Sequence, residues 1–431
     1  MITYKKSKQV LLAAMIMGIF SAQTAWAAPV ELTLNSAISM ALATNPTIKM
    51  SEADRMVAKA QKDEAKSSQW ITVGIEHNYS RGGTYDIRNN YDVREGHSNG
   101  VKIGLPIYTG GKISGMIEQA VKGYEYAQYG ESASYQNVKL VATTGYYDVL
   151  KTSNLVTLAK ESVNRLEEHL KNVQAQYEVG VVAKVDVLRS EVELADAQQT
   201  LIKAENAYNL AMASLNNVIG LPLSTELSIS DALAYNAYDN TLDNCLTFAM
   251  ANRPEIYQAK ASVEAANAGV QVANAGYMPQ VTAGASNGWK DSAWPGFENK
   301  EWGVSVVASM NVFDSGVTAA RVQQARGNRY KAEEAYRQTT DNVQLDVRNS
   351  YLNLKEAEKR ISTSYVAVAK AEEDYHIAQV RYQAGVGTNT DVIDAQVALT
   401  QAKTNYVQAL YDYNTSNATL ERAMGIPVLV G

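Results

Sequence analysis

Cysteine is nearly absent from this 431-residue chain. Cys245 stands alone, so no internal disulfide can staple the fold. Leu242, Leu246 and Ala249 surround it at helical spacing, which predicts a buried, inert thiol. Histidine is scarce as well. His77, His97, His169 and His376 are scattered, with no His-x-x-x-His pair, Gly-x-Ser-x-Gly elbow, Cys-x-x-Cys or phosphate loop beside them. An enzyme therefore has no candidate centre, no cofactor or metal is expected, and His169 and His376 read as solvated helix positions. Lys and Arg number 39 against 45 acids, a balance that argues against nucleic acid as a partner.

Long apolar runs are also missing beyond the first residues. None reaches roughly 18 consecutive positions, so no membrane-spanning helix is expected. The early run 10–20 follows Lys5, Lys6 and Lys8 and precedes Ala25-Trp26-Ala27, the form of a secretory signal over 1–27. Residue 28 is alanine, so it offers no thiol for lipidation there. Loss of that signal makes the net charge of −6 three units more negative. Proline (8) and phenylalanine (4) are rare beside 26 tyrosines, and alanine-rich stretches run on without a breaker.

What is present is a duplication. Gln176-Tyr-Glu-Val-Gly-Val-Val-Ala-Lys-Val-Asp186 has a near-twin in Arg381-Tyr-Gln-Ala-Gly-Val-Gly-Thr-Asn-Thr-Asp391, 205 residues on. At the same offset 105–222 aligns without a gap to 310–427, while Asn45-Pro46 and Arg253-Pro254 match at a slightly different one. The chain thus reads as a first repeat over 28–222, a linker over 223–239 and a second repeat over 240–431. Within each, apolar residues step by four and three for many turns: Val138, Ala142, Val149, Val163, Leu166 and Val173, with Val343, Val347, Leu354 and Val368 as twins of the first, second, third and fourth. That period predicts coiled-coil packing in two helical hairpins, 112–218 and 316–424. The first long helix, 112–178, would extend ~100 Å. Its partner 185–218 is about half as long, and the helical pattern of 47–69 supplies the rest. The ends at Asn45-Pro46 and Gly220-Leu-Pro222 then meet near the middle of the rod.

A second period separates the helices. Ile71, Val73, Ile75 and Tyr79 alternate with polar or small residues, as do Val101, Ile103, Leu105 and Ile107, then Val281, Ala283 and Ala285, then Trp302, Val304, Val306, Ala308, Met310 and Val312. Two β-hairpins, 70–109 and 279–313, are expected, joined at their ends by polar loops 81–98 and 287–301. Period two in a secreted chain with no other core fits outer-membrane strands better than an ordinary sheet with one wet face. Trp289, Trp294, Phe297 and Trp302 would form an interfacial aromatic girdle. Four strands cannot close a barrel, and an open edge is not tolerated in lipid. The chain must therefore oligomerise; the pattern does not distinguish two, three or four copies.

This order of helix, strand, strand, long helix, turn and helix, given twice, resembles the TolC-type outer-membrane efflux protein family over nearly all of residues 30–428. The resemblance is carried by the two Tyr-x-x-Gly turns followed by Asp-Val-Leu and Asp-Val-Ile, by Leu105-Pro-Ile-Tyr-Thr-Gly-Gly111, and by the Gly-x-Pro ends. It implies a mainly α fold with a membrane β-barrel portion: a homotrimer whose twelve strands form one barrel in outer-membrane lipid, continued by a long coiled-coil tunnel across the periplasm. The turns would then be the periplasmic tip. Gly180 and Gly385 would take left-handed conformations, and these two with Val181, Val386 and Gly387 would dock a periplasmic adaptor and, through it, an inner-membrane RND, ABC or MFS transporter. Asp391 and Asp394 match the family's constriction carboxylates, although Asp391 also suits a helix cap beside Thr388, Asn389 and Thr390. Asp186 and Tyr382 would latch the entrance by hydrogen bonds between hairpins. Gly387 stands where the best-known members carry an arginine, which puts that ion-pair latch in doubt and leaves Arg189 or Lys184 as stand-ins. The implied function is a passive exit duct for efflux or type I secretion. A trimeric coiled-coil surface adhesin is the alternative, and the cargo is open.

Overall fold

The structure, a computed structural model, describes residues 30–86, 90–295, 297 and 299–428; the expected signal segment lies outside them. In chain order the elements are β1 (Val30–Glu31), α1 (Leu34–Thr44), α2 (Pro46–Ser67), β2 (Thr72–Asp86), β3 (Asn90–Tyr108), α3 (Lys112–Glu178), α4 (Lys184–Ile219) and β4 (Leu227–Ser228). The second repeat supplies α5 (Leu242–Asn252), α6 (Pro254–Asn274), β5 (Gln280–Asp291), β6 (Asn299–Ser309), α7 (Val317–Gln383) and α8 (Asn389–Met424). The long helices α3 and α7 each have 67 residues, and α4 and α8 each have 36. At 1.5 Å per residue the long ones extend about 100 Å.

Local chemistry sets where the helices begin and end. Thr33 caps α1, its hydroxyl accepting from the Ser36 amide while the Ser36 hydroxyl accepts from the Thr33 amide. Asn45 ends α1 and caps α2, whose first residue, Pro46, needs no amide partner there. The helix ends meet mid-rod. Thr44 Oγ1 donates to the Ile219 carbonyl at 2.9 Å and Asn45 Nδ2 to that of Val218 at 3.3 Å, so the last turn of α4 gains partners from the α1–α2 junction. In the second repeat Arg253 takes this role, donating to the Ala423 carbonyl at 2.6 Å and to Asp346 at 3.0 Å.

The two repeats bury equivalent residues. Ala37, Ala41, Ile48, Val138, Val149 and Leu215 form a core in the first, and Cys245, Ala249, Ile256, Val343, Leu354 and Leu420 form it in the second. Cys245 is 0% exposed, with the Tyr238 hydroxyl 3.4 Å from its sulfur. The helices make one wall. In the half nearer the strands α2 packs on α3, α3 on α6, and α6 on α7; in the other half α4 packs on α3, α3 on α8, and α8 on α7. The wall has one free edge along α7 and another along α2 and α4.

All four long strands lie in one antiparallel sheet of order β2-β3-β5-β6. Its register puts Val73, Ile75, Val101, Ile103, Ala283, Ala285, Trp302, Val304 and Val306 on one face. Thr72, Glu76, Asn78, Lys102, Ser286, Glu301 and Ser305 lie on the other, where Lys102 pairs with Glu76. The apolar face is bare in a single chain: Ile75 is 85% and Trp302 78% exposed. Among the described residues β2 and β6 are both unpaired edges.

The strands depart from expectation at both ends. Most of the stretch read as a loop over 81–98 is strand, with β2 running to Asp86 and β3 starting at Asn90; 87–89 lie outside the described residues. β5 likewise reaches Asp291 and β6 begins at Asn299, so much of 287–301 is also strand. The alternation fades there because a ladder continuing beyond an apolar band can be polar on both faces, as the Arg81–Glu95 pair at 3.2 Å illustrates. At the other end β6 stops at Ser309, short of residue 313. Asp314 takes the chain into α7 instead, accepting from the amides of Gly316 at 3.1 Å and Thr318 at 2.7 Å.

Candidate functional site at the hairpin turns

Each helical hairpin reverses at a glycine with positive φ, +76° at Gly180 and +73° at Gly385. The Gly180 amide reaches the Tyr177 carbonyl and the Val181 amide that of Gln176; Gly385 and Val386 repeat this with Tyr382 and Arg381. These bonds satisfy the last carbonyls of α3 and α7. A Cβ at either glycine would meet nothing within 4 Å, so the backbone angle alone calls for glycine. Val181 and Val386 project from the turns, 71% and 68% exposed. Gly387 has a different reason. A Cβ there would meet the Tyr382 amide nitrogen at 3.0 Å and Arg381 Cβ at 3.1 Å, so the turn itself crowds any side chain at this position.

After the turn the repeats diverge. α8 opens with a reciprocal cap: Thr388 Oγ1 accepts from the Asp391 amide at 3.1 Å, and the Asp391 carboxylate accepts from the Thr388 amide at 2.9 Å. The backbone hydrogen bond from Thr388 holds the Asp391 carboxyl below its usual range, with the Thr388 side-chain bond adding to it. The capping alternative for Asp391 is therefore realised in a single chain. Asp394 lies one turn further on, and both carboxylates are exposed. The first-repeat helix α4 has Ala183 at its N-cap position and no side-chain cap.

The hairpins meet just behind the turns. Asn389, buried at the first position of α8, accepts from His169 Nε2 of α3 at 2.6 Å. Its amide nitrogen donates to the Asp186 carbonyl at 3.0 Å and to Ser190 Oγ at 3.2 Å, both on α4. Arg189 reaches across as well, its guanidinium 2.5 Å from Thr390 Oγ1. In the same seam Val173, Tyr375, Ala378, Tyr382, Val392, Ala395 and Leu399 form an apolar cluster.

Two sequence expectations stand differently here. His169 is not solvated; it is 7% exposed, because this face of α3 is turned into the seam with α7 and α8. Burial pushes its pKa down, opposed by the bond to Asn389. The Tyr382 hydroxyl is buried without a hydrogen-bond partner among the described residues and makes none to Asp186. Its ring leans on His169 instead, with centroids 5.3 Å apart; burial, then the nearby Asp186 carboxylate, raises its pKa. Asn389 and Ser190 were not singled out as site residues. A polar asparagine beside the N-cap, and a serine within a series of small seam residues, were the available signals. At the opposite end of the molecule Trp289 and Trp302 share the apolar sheet face; Phe297 packs edge-on to Trp289 at 5.7 Å, and Trp294 covers His77 and His97 at 5.2 and 5.5 Å.

A half-open sheet with one apolar and one polar face, running into a helical wall that is open at both edges, defines one segment of an outer-membrane channel. The chain belongs to the outer membrane efflux protein family, whose model matches residues 37–221 and 246–426. It is 22% identical over 398 residues to the outer membrane protein TolC of Escherichia coli strain K12, covering 89% of this chain and 80% of that protein. It is 24% identical over 298 residues to the alkaline protease secretion protein AprF of Pseudomonas aeruginosa, covering 65% of this chain and 60% of that protein. Among solved structures, the Campylobacter jejuni CmeC outer membrane channel superposes with a TM-score of 0.83 at 17% identity, covering 91% of this chain and 85% of that one. The Vibrio cholerae outer membrane protein VceC gives 0.80 at 18% identity, covering 91% and 96%.

Proposed function

We propose that this protein is the outer-membrane exit duct of an efflux or type I secretion system, conducting its cargo passively outwards. The observation that carries this reading is the pair of open edges. β2 and β6 each present an unpaired row of backbone groups beside an apolar face, and α7 and the α2/α4 line are free at the same two margins. An open strand edge is not tolerated in lipid, and in water it is a template for pairing, so another copy is expected to cover each edge. Three copies give the twelve-strand barrel and continuous helical tunnel expected from the family. The polar sheet face then lines the pore and the apolar face meets lipid.

On this reading the turns lie at the periplasmic tip. Val181 and Val386, held out by Gly180 and Gly385, supply apolar contacts for a periplasmic adaptor, with Gly387 keeping the second turn narrow; the adaptor links the duct to an inner-membrane transporter. Asp391 and Asp394, three residues apart on an exposed face of α8, would repeat in each copy as two stacked carboxylate rings at the constriction. The surface-adhesin alternative is disfavoured by the sheet, since both hairpins of one chain join a single four-stranded arc. Planar-bilayer recording tests the duct: purified protein should give small, cation-selective steps. A folded preparation that inserts but never conducts would overturn it.

A further inference from the structure

We propose that His169 is a proton-operated latch, tying the second helical hairpin to the first while neutral and releasing it when protonated. The inference rests on the duct reading, because it assigns the moving part of the entrance.

The geometry is specific. His169 is the point at which α3 meets the start of α8, and Asn389 carries the connection on to α4. One side chain thus links α3, α4 and α8, with the Tyr382 ring of α7 stacked obliquely against the imidazole. All four helices of the tip converge there, and the second hairpin cannot swing away without breaking the 2.6 Å bond. The Asn389 amide nitrogen is committed as a donor to Asp186 and Ser190, so its oxygen accepts and His169 Nε2 donates. A neutral imidazole satisfies this arrangement with one proton.

A second proton brings a full charge to a side chain that is 7% exposed, in a seam lined by Val173, Tyr375, Ala378 and Tyr382. The charged groups around the node do not offset it. On α4 the half-buried Asp186 acts on the Tyr382 hydroxyl, and Arg189 is cationic; on α7 Arg381 is exposed and cationic; on α8 Asp391 is exposed and engaged with Thr388; on α3 Glu168 adjoins the histidine in sequence, and Arg165, four residues before it, lies over the Tyr375 ring. The ring's hydrogen bond to Asn389 is donated to a neutral amide oxygen, which carries no countercharge. Burial accordingly lowers the histidine pKa in the latched form. The latch is at full strength above the ordinary value of 6.5 and weakens as pH falls from there through the depressed value, because the released, hydrated imidazole takes up the proton more readily. This device differs from a tyrosine–carboxylate latch, since the Tyr382 hydroxyl is unbonded among the described residues.

Double electron–electron resonance on the full-length protein tests it, with a spin label at Val386→Cys in a Cys245→Ala background. One label per chain reports the distances among the tips of the assembled copies. On lowering the pH from about 7.5 to about 5.5, a longer-distance population should grow, by no more than about tenfold per pH unit for each imidazole. His169→Gln, which keeps an amide donor but cannot titrate, should hold the short distance at both pH values. His169→Arg should give the long one at both. A pH response that survives in His169→Gln, or no response in the parent, overturns the latch and leaves the duct standing. The absence of any dipolar signal in folded protein removes the multi-copy duct, and the latch with it.

Discussion

The imidazole of His169 lies 2.6 Å from the side-chain oxygen of Asn389, across the seam between the two helical hairpins. The two residues are 220 positions apart in the chain, and duplication explains how they meet. Each repeat builds one long-and-short helix pair, and the second pair packs its shorter helix against the long helix of the first. A polar contact at that place is costly to leave unsatisfied. Here it controls whether the hairpins stay together.

The turn glycines should be replaceable only at the expense of the turn. Gly385→Ala meets no neighbour but forces a β-carbon into a left-handed backbone, at about 1–2 kcal/mol. Amide exchange at Val386 and Gly387 should speed up by a factor of about 5–30, without change in the mid-rod core. Unaltered exchange at the turn would mean that the backbone does not depend on that angle.

The cap on α8 should respond to acid. The Asp391 carboxyl is held below its ordinary 3.8 by its bonds to Thr388, so the cap is fully present above that value and is lost as pH falls through the depressed one. Amide exchange in the first turn of α8, followed from pH 5 downwards, should accelerate only below about pH 4. Asp391→Asn should remove this dependence, while Thr388→Ala, which keeps the backbone amide that Asp391 accepts from, should only weaken it and cost about 1 kcal/mol of helix stability at neutral pH.

Conductance separates the two aspartates from the cap. Trivalent cations should block the parent channel. Replacing both Asp391 and Asp394 with alanine should relieve the block, while Thr388→Ala, which leaves both carboxylates in place, should not. Persistent block in the double variant would move the constriction elsewhere.

The two sheet faces should tolerate charge unequally. Arginine at Val304 faces the apolar side and should cost about 2–4 kcal/mol if it lies near the bilayer midplane, measured as loss of assembled protein in the membrane. Arginine at Ser305, one residue on and on the polar face, should assemble and instead reduce cation selectivity. Equal effects would contradict the assignment of faces.

Long-period features were readable from the residues alone. The seam through Val138, Val149 and Val173 and its twin through Val343 and Leu354 fixed two long helices because period and duplication reinforce each other over many turns; α3 and α7 have the same length and lie 205 positions apart. The Asn45 and Gly220 junction followed from length matching. Strand ends were misread where the physical constraint lapses: outside an apolar band Arg81 and Glu95 can pair across a strand without alternating. His169 was misread because a polar residue on a helix gives no sign of which face it occupies when the seam partner lies on the other repeat. The departure at Gly387 was visible in sequence, but its crowding against Arg381 and Tyr382 required the folded turn.

The most direct measurement is the mass of the folded particle. Native mass spectrometry of detergent-extracted protein, unheated, should show no single chain, because β2 and β6 each need a neighbour, and should show three chains, the number the family implies. A lone chain that keeps its full strand signal and resists protease would contradict the account.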